Sequence, residues 1–375
     1  MEGQKMISQI KVLMILPTFN YSGGIESFVM NNIRHMNMTE FQIDILSHNV
    51  NALDYVSEVE NAGGKVFHLP KFSPKNFSII KSKYLSILSE NQYDIVHCHM
   101  ANAAFLYLKY AQKCKVPVRI LHSHQNKAAD TLSHSLRNIP LLAIGKKYAN
   151  FRMACTKLAG DFLFPKQNYD IVRNAIDYQK YTFNFEKREE LRQKFGFHKS
   201  DIVIGHTGRL TKQKNQVFLL KIFEKLINQN SNYKLVLVGS GEDLELLEDI
   251  VIKSNLQEKV QFLGDRNDIP NILQTFDVFV FPSIYEGLGI SILEAQACGL
   301  PCVTSTGVPE DADISTNIVH LDLTEEIDKW CEVIGDMDIN KRSNTIDLDP
   351  KYNIIKNADI LTNLYLEYIR IHKGD

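Results

Sequence analysis

The chain has 375 residues, 44% of them hydrophobic and 23% charged, with a net charge of -2, which is ordinary globular chemistry and enough chain for two domain-sized cores. No stretch reaches the roughly 18 uncharged apolar residues of a bilayer span, and the start MEGQKMISQIKVLMILP lacks a small-residue cleavage site, so the chain reads as cytoplasmic. The near-neutral sum hides an asymmetry: residues 1 to 175 carry 20 lysines and arginines against 12 acids, and the remainder 22 against 32, so the two halves are expected to face different partners. Cys98, Cys114, Cys155, Cys298, Cys302 and Cys331 are scattered without a CxxC pair, which predicts reduced core thiols and no metal site.

From the N-terminus, KVLMILP (11–17) is a continuous apolar run of strand length, followed by PTFNYSGGIESFV. There Gly23 and Gly24 precede a helical pattern, and their amides are placed to approach a diphosphate. The spacing is not GxGxxG, which argues against a nicotinamide dehydrogenase. FQIDILS (41–47), YDIVHCH (93–99) and VRILHSH (118–124) continue the series, with amphipathic stretches between them. This is a βαβ rhythm, and strands apolar throughout imply parallel sheets covered on both faces.

His97 and His99 alternate like a ligand pair, but read as structural strand-end residues. His122 and His124 alternate likewise and should share one strand face, so either one is available for chemistry while the other is packed. Between Tyr107 and Arg152 stand Lys109, Lys113, Lys115, Arg119, Lys127, Arg137, Lys146, Lys147 and Arg152 against Asp130 alone. That basic run predicts peripheral attraction to an anionic membrane surface.

Residues 172–196 lose the strand pattern, which places the interdomain connection near 175–185 and the domains at 1–178 and 179–352. Past it the rhythm restarts with DIVIGHTG, YKLVLVG, KVQFLG, FDVFVFP and PCVTS. GHTGRLTKQKN sets Arg209 and Lys214 on a loop leading into a helix. Two cations and helix amides neutralise a diphosphate without a metal. In FPSIYEGLGISILEAQACG, the turn Gly287, Leu288, Gly289 lets backbone approach a ligand and opens a helix. Glu286 falls before that helix, and Glu294 inside it among Ile292, Leu293, Ala295 and Ala297, where a carboxylate needs a partner. Finally, Ile354, Ile355, Ala358, Leu361, Leu364, Tyr365, Tyr368 and Ile369 trace an amphipathic helix over about 353–372, expected to pack back on the first domain.

Taken in order, GRLTKQKN, LVGSGED, FLGDRNDIP and FPSIYEGLGISILEAQACGLPCVTS resemble the donor-site signature of the GT-B retaining glycosyltransferases of family GT4, the glycosyl transferases group 1. The resemblance spans nearly the whole chain and is strongest to bacterial exopolysaccharide and capsule enzymes. It implies an α/β fold of two doubly wound Rossmann-like domains facing a central cleft. It also implies transfer of a hexose from a nucleotide-diphosphate sugar, with UDP favoured over GDP, to a glycan or lipid-linked acceptor, without a metal cofactor.

By position, the resemblance gives Arg209 and Lys214 the donor diphosphate and Glu294 the ribose hydroxyls. Glu286 and the amides of Gly287 to Gly289 go to the transferred sugar, Arg266 to the base, Gly23 and Gly24 to the opposite wall, and His124 to the donor sugar. The chain departs from the usual pattern at Asn174-Ala175-Ile176-Asp177, with alanine for glycine, and at Gly307-Val308-Pro309-Glu310, which lacks a second glycine. With no side chain placed as a covalent nucleophile, front-face attack by the acceptor is the expected route. Rival readings are a GT-B nucleotide-sugar epimerase and a non-catalytic sugar-nucleotide binding partner of another transferase; the basic residues lack a nucleic-acid recognition module.

Overall fold

The computed structural model describes residues 9–21, 23–124, 132–339, 342 and 347–374, with the backbone alone for 132–137. Lys127 and Asp130 of the basic run, and the Arg137 side chain, lie outside the described residues. The chain divides into two units, Met1–Ala175 with Ile354–Asp375, and Ile176–Asn353.

The first unit holds strands β1 (Ile10–Leu16), β2 (Phe41–Ser47), β3 (Val66–His68), β4 (Ile95–Cys98), β5 (Val118–Ser123), β6 (Phe151–Ala154) and β7 (Asp170–Ile171). Its helices are α1 (Gly24–His35), α2 (Leu53–Asn61), α3 (Phe77–Asn91), α4 (Ala104–Lys113), α5 (Leu132–Lys146) and α6 (Lys157–Leu163). The second unit holds α7 (Tyr178–Tyr181), α8 (Phe185–Lys194), β8 (Ile202–Thr207), α9 (Gln216–Gln229), β9 (Tyr233–Val238), α10 (Leu244–Lys253) and β10 (Val260–Phe262). It continues through α11 (Ile269–Thr275), β11 (Val278–Phe281), α12 (Ile290–Ala297), β12 (Cys302–Ser305), β13 (Ile318–Leu321) and α13 (Ile327–Asp336); the last helix, α14 (Ile354–Lys373), belongs to the first unit.

Both sheets are parallel, ordered β3-β2-β1-β4-β5-β6-β7 and β10-β9-β8-β11-β12-β13. The order reverses between β1 and β4 in one sheet and between β8 and β11 in the other. Such switch points open crevices at the strands' carboxyl ends, where ligands of doubly wound sheets bind.

The strands are apolar throughout because each sheet is covered on both faces. In β1, Val12, Met14 and Leu16 join a core with Phe28, Leu361 and Tyr365, while Leu13 and Ile15 join one with Tyr84 and Tyr107. The same alternation divides β9, with Leu235 and Leu237 on one face and Val236 and Val238 on the other. Segment 172–196, without strand pattern, becomes two side-chain-capped helices: Asp177 accepts from the Gln179 amide at 3.0 Å, and Asn184 from the Lys187 amide at 2.8 Å. Buried Asp277 accepts from the Val203 amide at 2.7 Å and Arg192 Nη1 at 2.8 Å, which pins the start of β11 beside β8.

Candidate active site

In the second unit, the loop after β8 is tied to the loop after β11. The Ile284 amide donates to Gln213 O at 2.8 Å, Gln213 Nε2 to Tyr285 O at 2.9 Å, and Asn215 Nδ2 to Pro282 O at 3.2 Å. Backbone also presses on backbone: a Cβ on Gly239 would meet Gly208 O at 2.2 Å, so LVGSGED needs glycine there. Gln216 Nε2 bridges Arg209 O at 2.9 Å and His206 Nε2 at 3.1 Å. With Nε2 accepting, His206 donates from Nδ1 to Val280 O at 3.0 Å, and burial pushes this imidazole down to about 4. His206 and Gln216 were not singled out in the sequence; the strand-end position of His206 was the available signal.

On this scaffold Lys214 Nζ meets Glu286 Oε1 at 2.7 Å, and the two side chains are only 13% and 7% exposed. Nζ also lies 4.6 Å from the centre of the Phe281 ring. A pair this desolvated interacts more strongly than a surface pair, and losing one partner is costly. Arg209, on the same loop, is exposed. Gly289 starts α12 with φ 84°, a left-handed conformation that favours glycine. Glu294 follows within α12, where the Tyr181 hydroxyl donates to its Oε1 at 2.7 Å. Burial pushes the Glu294 carboxyl up to about 7, against the opposing pull of the Tyr181 bond. Arg266 donates from Nε and Nη2 to Asp268, both at 2.8 Å, so its fork is engaged inside its own loop.

The first unit builds the carboxyl ends of β4 and β5 from uncharged groups. His97, His99, His122 and His124 stack, with ring centres 4.1 Å apart within each strand and 5.1 or 5.0 Å across. His97 Nε2 and His122 Nδ1 are 3.0 Å apart, His99 Nδ1 and His124 Nε2 2.8 Å, and His97 Nδ1 lies 2.7 Å from the Tyr365 hydroxyl. Burial holds His97, His99 and His122 well below the usual imidazole range and His124 at about 3. They are therefore neutral at pH 7.

Ring nitrogens of His97, His99 and His122 lie within 4.8 Å of one another, the one metal-competent group among the described residues. Both nitrogens of His97 already have partners, which an ion would have to displace. Gly23 caps α1, and a Cβ there would meet Glu26 Oε2 at 1.8 Å. The buried Glu26 carboxylate, bonded to the Thr18 hydroxyl, thus sits over the turn expected to meet an anion. Among the basic residues, Arg119 donates to the carbonyls of Tyr148, Val116 and Pro117, and Lys146 to that of Leu163.

Residues 22–180 match Glycosyltransferase Family 4, and residues 187–318 match the glycosyl transferases group 1. EpsF of Bacillus subtilis (strain 168), which is named as a glycosyltransferase, is 32% identical over 337 residues, 88% of each chain. The chain belongs to glycosyltransferase family 4. This transferase is also 26% identical over 387 residues to the UDP-Gal:alpha-D-GlcNAc-diphosphoundecaprenol alpha-1,3-galactosyltransferase of Escherichia coli, across 96% of the chain and 98% of that relative. Its fold matches Anabaena HepE, crystallised in complex with UDP-glucose, with a TM-score of 0.74 over 98% of this chain and 99% of the other at 16% identity. The two doubly wound parallel sheets are those of a GT-B glycosyltransferase. Among the sequence-derived residues of the transferase, the structure brings Lys214 and Glu286 into contact, gives Glu294 a phenol partner and Arg266 an acid, and leaves Arg209 exposed.

Proposed function

We propose that the enzyme moves a hexose from a UDP-sugar, with retention of configuration, to a glycan or lipid-linked acceptor in exopolysaccharide or capsule synthesis. The observation that carries this reading is the buried Lys214–Glu286 pair where β8 and β11 end, with Glu294 on the adjoining helix. Lys214 and Arg209 take the donor diphosphate and Glu294 the ribose hydroxyls. Glu286 and the amides of Gly287, Leu288 and Gly289 take the sugar, and Arg266 lies toward the base. In the first unit, Gly23 and Gly24 are assigned to the donor diphosphate and His124 to the donor sugar. The Escherichia coli relative, named for a UDP-sugar and a diphosphoundecaprenol-linked acceptor, and HepE, solved with UDP-glucose, support the donor and acceptor classes.

Chemically, charge builds on the leaving diphosphate as the glycosidic bond breaks, and a preplaced cation stabilises it most at that moment. Lys214 is held for this by Glu286 before the donor arrives. The acceptor hydroxyl attacks from the face the diphosphate leaves, and its proton passes to the departing phosphate oxygen. Charge neutralisation comes from side chains and helix amides, without a metal. No helix among the described residues is long and apolar enough to cross a membrane; the enzyme works at the cytoplasmic face of the membrane, attracted through the basic residues of its first unit.

A thermal-shift panel of nucleotide sugars tests the donor assignment, because a ligand bound at about 100 times its Kd adds roughly 2.7 kcal/mol to stability. UDP-sugars should give the largest shifts, and a panel in which none raises Tm overturns it. Sedimentation with anionic vesicles tests the membrane claim: binding that weakens with salt is expected, and no binding at low salt removes it.

A further inference from the structure

The histidine cluster contains a line of contacts that enters from the far end of the chain. Tyr365, in α14, is fully buried and its hydroxyl is 2.7 Å from His97 Nδ1. Burial raises its phenol well above the ordinary value, so the proton stays on oxygen. A buried O–H left without an acceptor costs about 1–3 kcal/mol, so the phenol donates to His97 Nδ1. A neutral imidazole has one N–H, so the His97 proton must then sit on Nε2. From there it donates across 3.0 Å to His122 Nδ1, which forces the single proton of His122 onto Nε2. Among the described residues that Nε2 is buried and has no hydrogen-bond partner.

We propose that Tyr365 and His97 are positioning residues that lock His122 as an Nε2–H donor, held for an oxygen of the bound substrate, a sugar hydroxyl in chemical class. The direction of the relay and its use both rest on the reading that the ends of β4 and β5 face substrate, whose oxygen accepts from the Nε2–H that is otherwise without a partner. Phe28 packs edge-on to the His122 ring with centroids 5.1 Å apart. The logic is that of other imidazoles whose tautomer is set by the partner of the second ring nitrogen.

The full-length protein labelled with 15N-histidine, with His122 assigned by loss of its signal in His122→Gln, reports the tautomer directly through long-range 1H–15N correlation. The expected result is protonated Nε2 and bare Nδ1 in the wild type, and a mixture of tautomers in Tyr365→Phe. A wild-type His122 protonated on Nδ1 overturns the proposal whether or not the variant folds. So does a Tyr365→Phe protein whose His122 is unchanged. Turnover separates the two layers: a relaxed tautomer with kcat down about tenfold and donor KM held supports both, whereas a relaxed tautomer with unchanged turnover keeps the relay and overturns the substrate role of His122.

Discussion

The carboxyl edges of the two sheets occupy equivalent topological places and are built from opposite chemistry. At β4 and β5 the side chains are neutral imidazoles bonded to one another and a phenol. At β8 and β11 they are an ammonium and a carboxylate in contact, with a second carboxylate a few residues on. An ionic edge suits a pyrophosphate. A neutral hydrogen-bonded edge suits hydroxyls, which need orientation more than charge.

The sharpest way to separate the edges is acid: four buried histidines with lowered values stand at β4 and β5, whereas at β8 and β11 a single lowered histidine, His206, is opposed by Glu294, whose value is raised. The four histidines have folded values below the unfolded 6.5, so the unfolded chain binds more protons and stability falls as pH drops below about 6.5. Each histidine that stays bare in the folded state and takes a proton in the unfolded chain steepens this fall, so the four act together. Trp330, the single tryptophan, is buried in the second unit. Denaturant melts at pH 7, 6 and 5 should therefore lose ellipticity before Trp330 emission shifts; stability flat from pH 7 to 5 contradicts the neutral edge.

Next in size is Lys214→Ala, for which at least about a hundredfold loss of kcat is expected with the fold retained by thermal shift. Kinetics near wild type would remove Lys214 from the reaction.

Glu294 supplies the opposite slope. Its folded carboxyl, near 7, lies above the unfolded value, so its stabilising contribution is full below about 4.5 and is lost as pH rises through 7. If it grips ribose as a carboxylate, donor affinity should fall about fivefold from pH 7 to 6 and flatten above 8. Glu294→Gln should bind weakly and without that pH dependence; an unchanged profile in the variant rules out the ribose role. The smallest effect belongs to Tyr181→Phe. Losing the phenol's hydrogen bond raises the Glu294 carboxyl further, so the midpoint of that binding profile should move upward by about half to one pH unit. A fixed midpoint means the contact does not tune it.

Much of this was legible in order along the chain. Strands β1, β2, β5, β8, β9, β11 and β12 announce themselves by continuous apolar runs, and GRLTKQKN and YEGLG fall on the loops they feed. Edge strands β3 and β7, three and two residues long, are too short to carry a period. Other features depend on distant partners. Tyr181 meets Glu294 across 113 positions and Tyr365 meets His97 across 268, separations at which no local pattern is informative. Alternation put His122 and His124 on one face, yet only the pairing of β4 with β5 turns two HxH repeats into one cluster. Gly23 and Arg266 show the reverse: both stand at the positions that motifs indicate, and each has an acid neighbour, Glu26 and Asp268, which the motifs do not mention.

Helix α14 is synthesised after the entire second unit, yet its Leu361 and Tyr365 complete the core against β1. At the usual 5–20 residues per second, roughly 10–35 s of translation separates the last strand of the first sheet from the helix that covers it. During that interval the face of the first sheet against which α14 packs lacks that cover, and His97 lacks its phenol. The first unit therefore completes its core only after the second unit has been made.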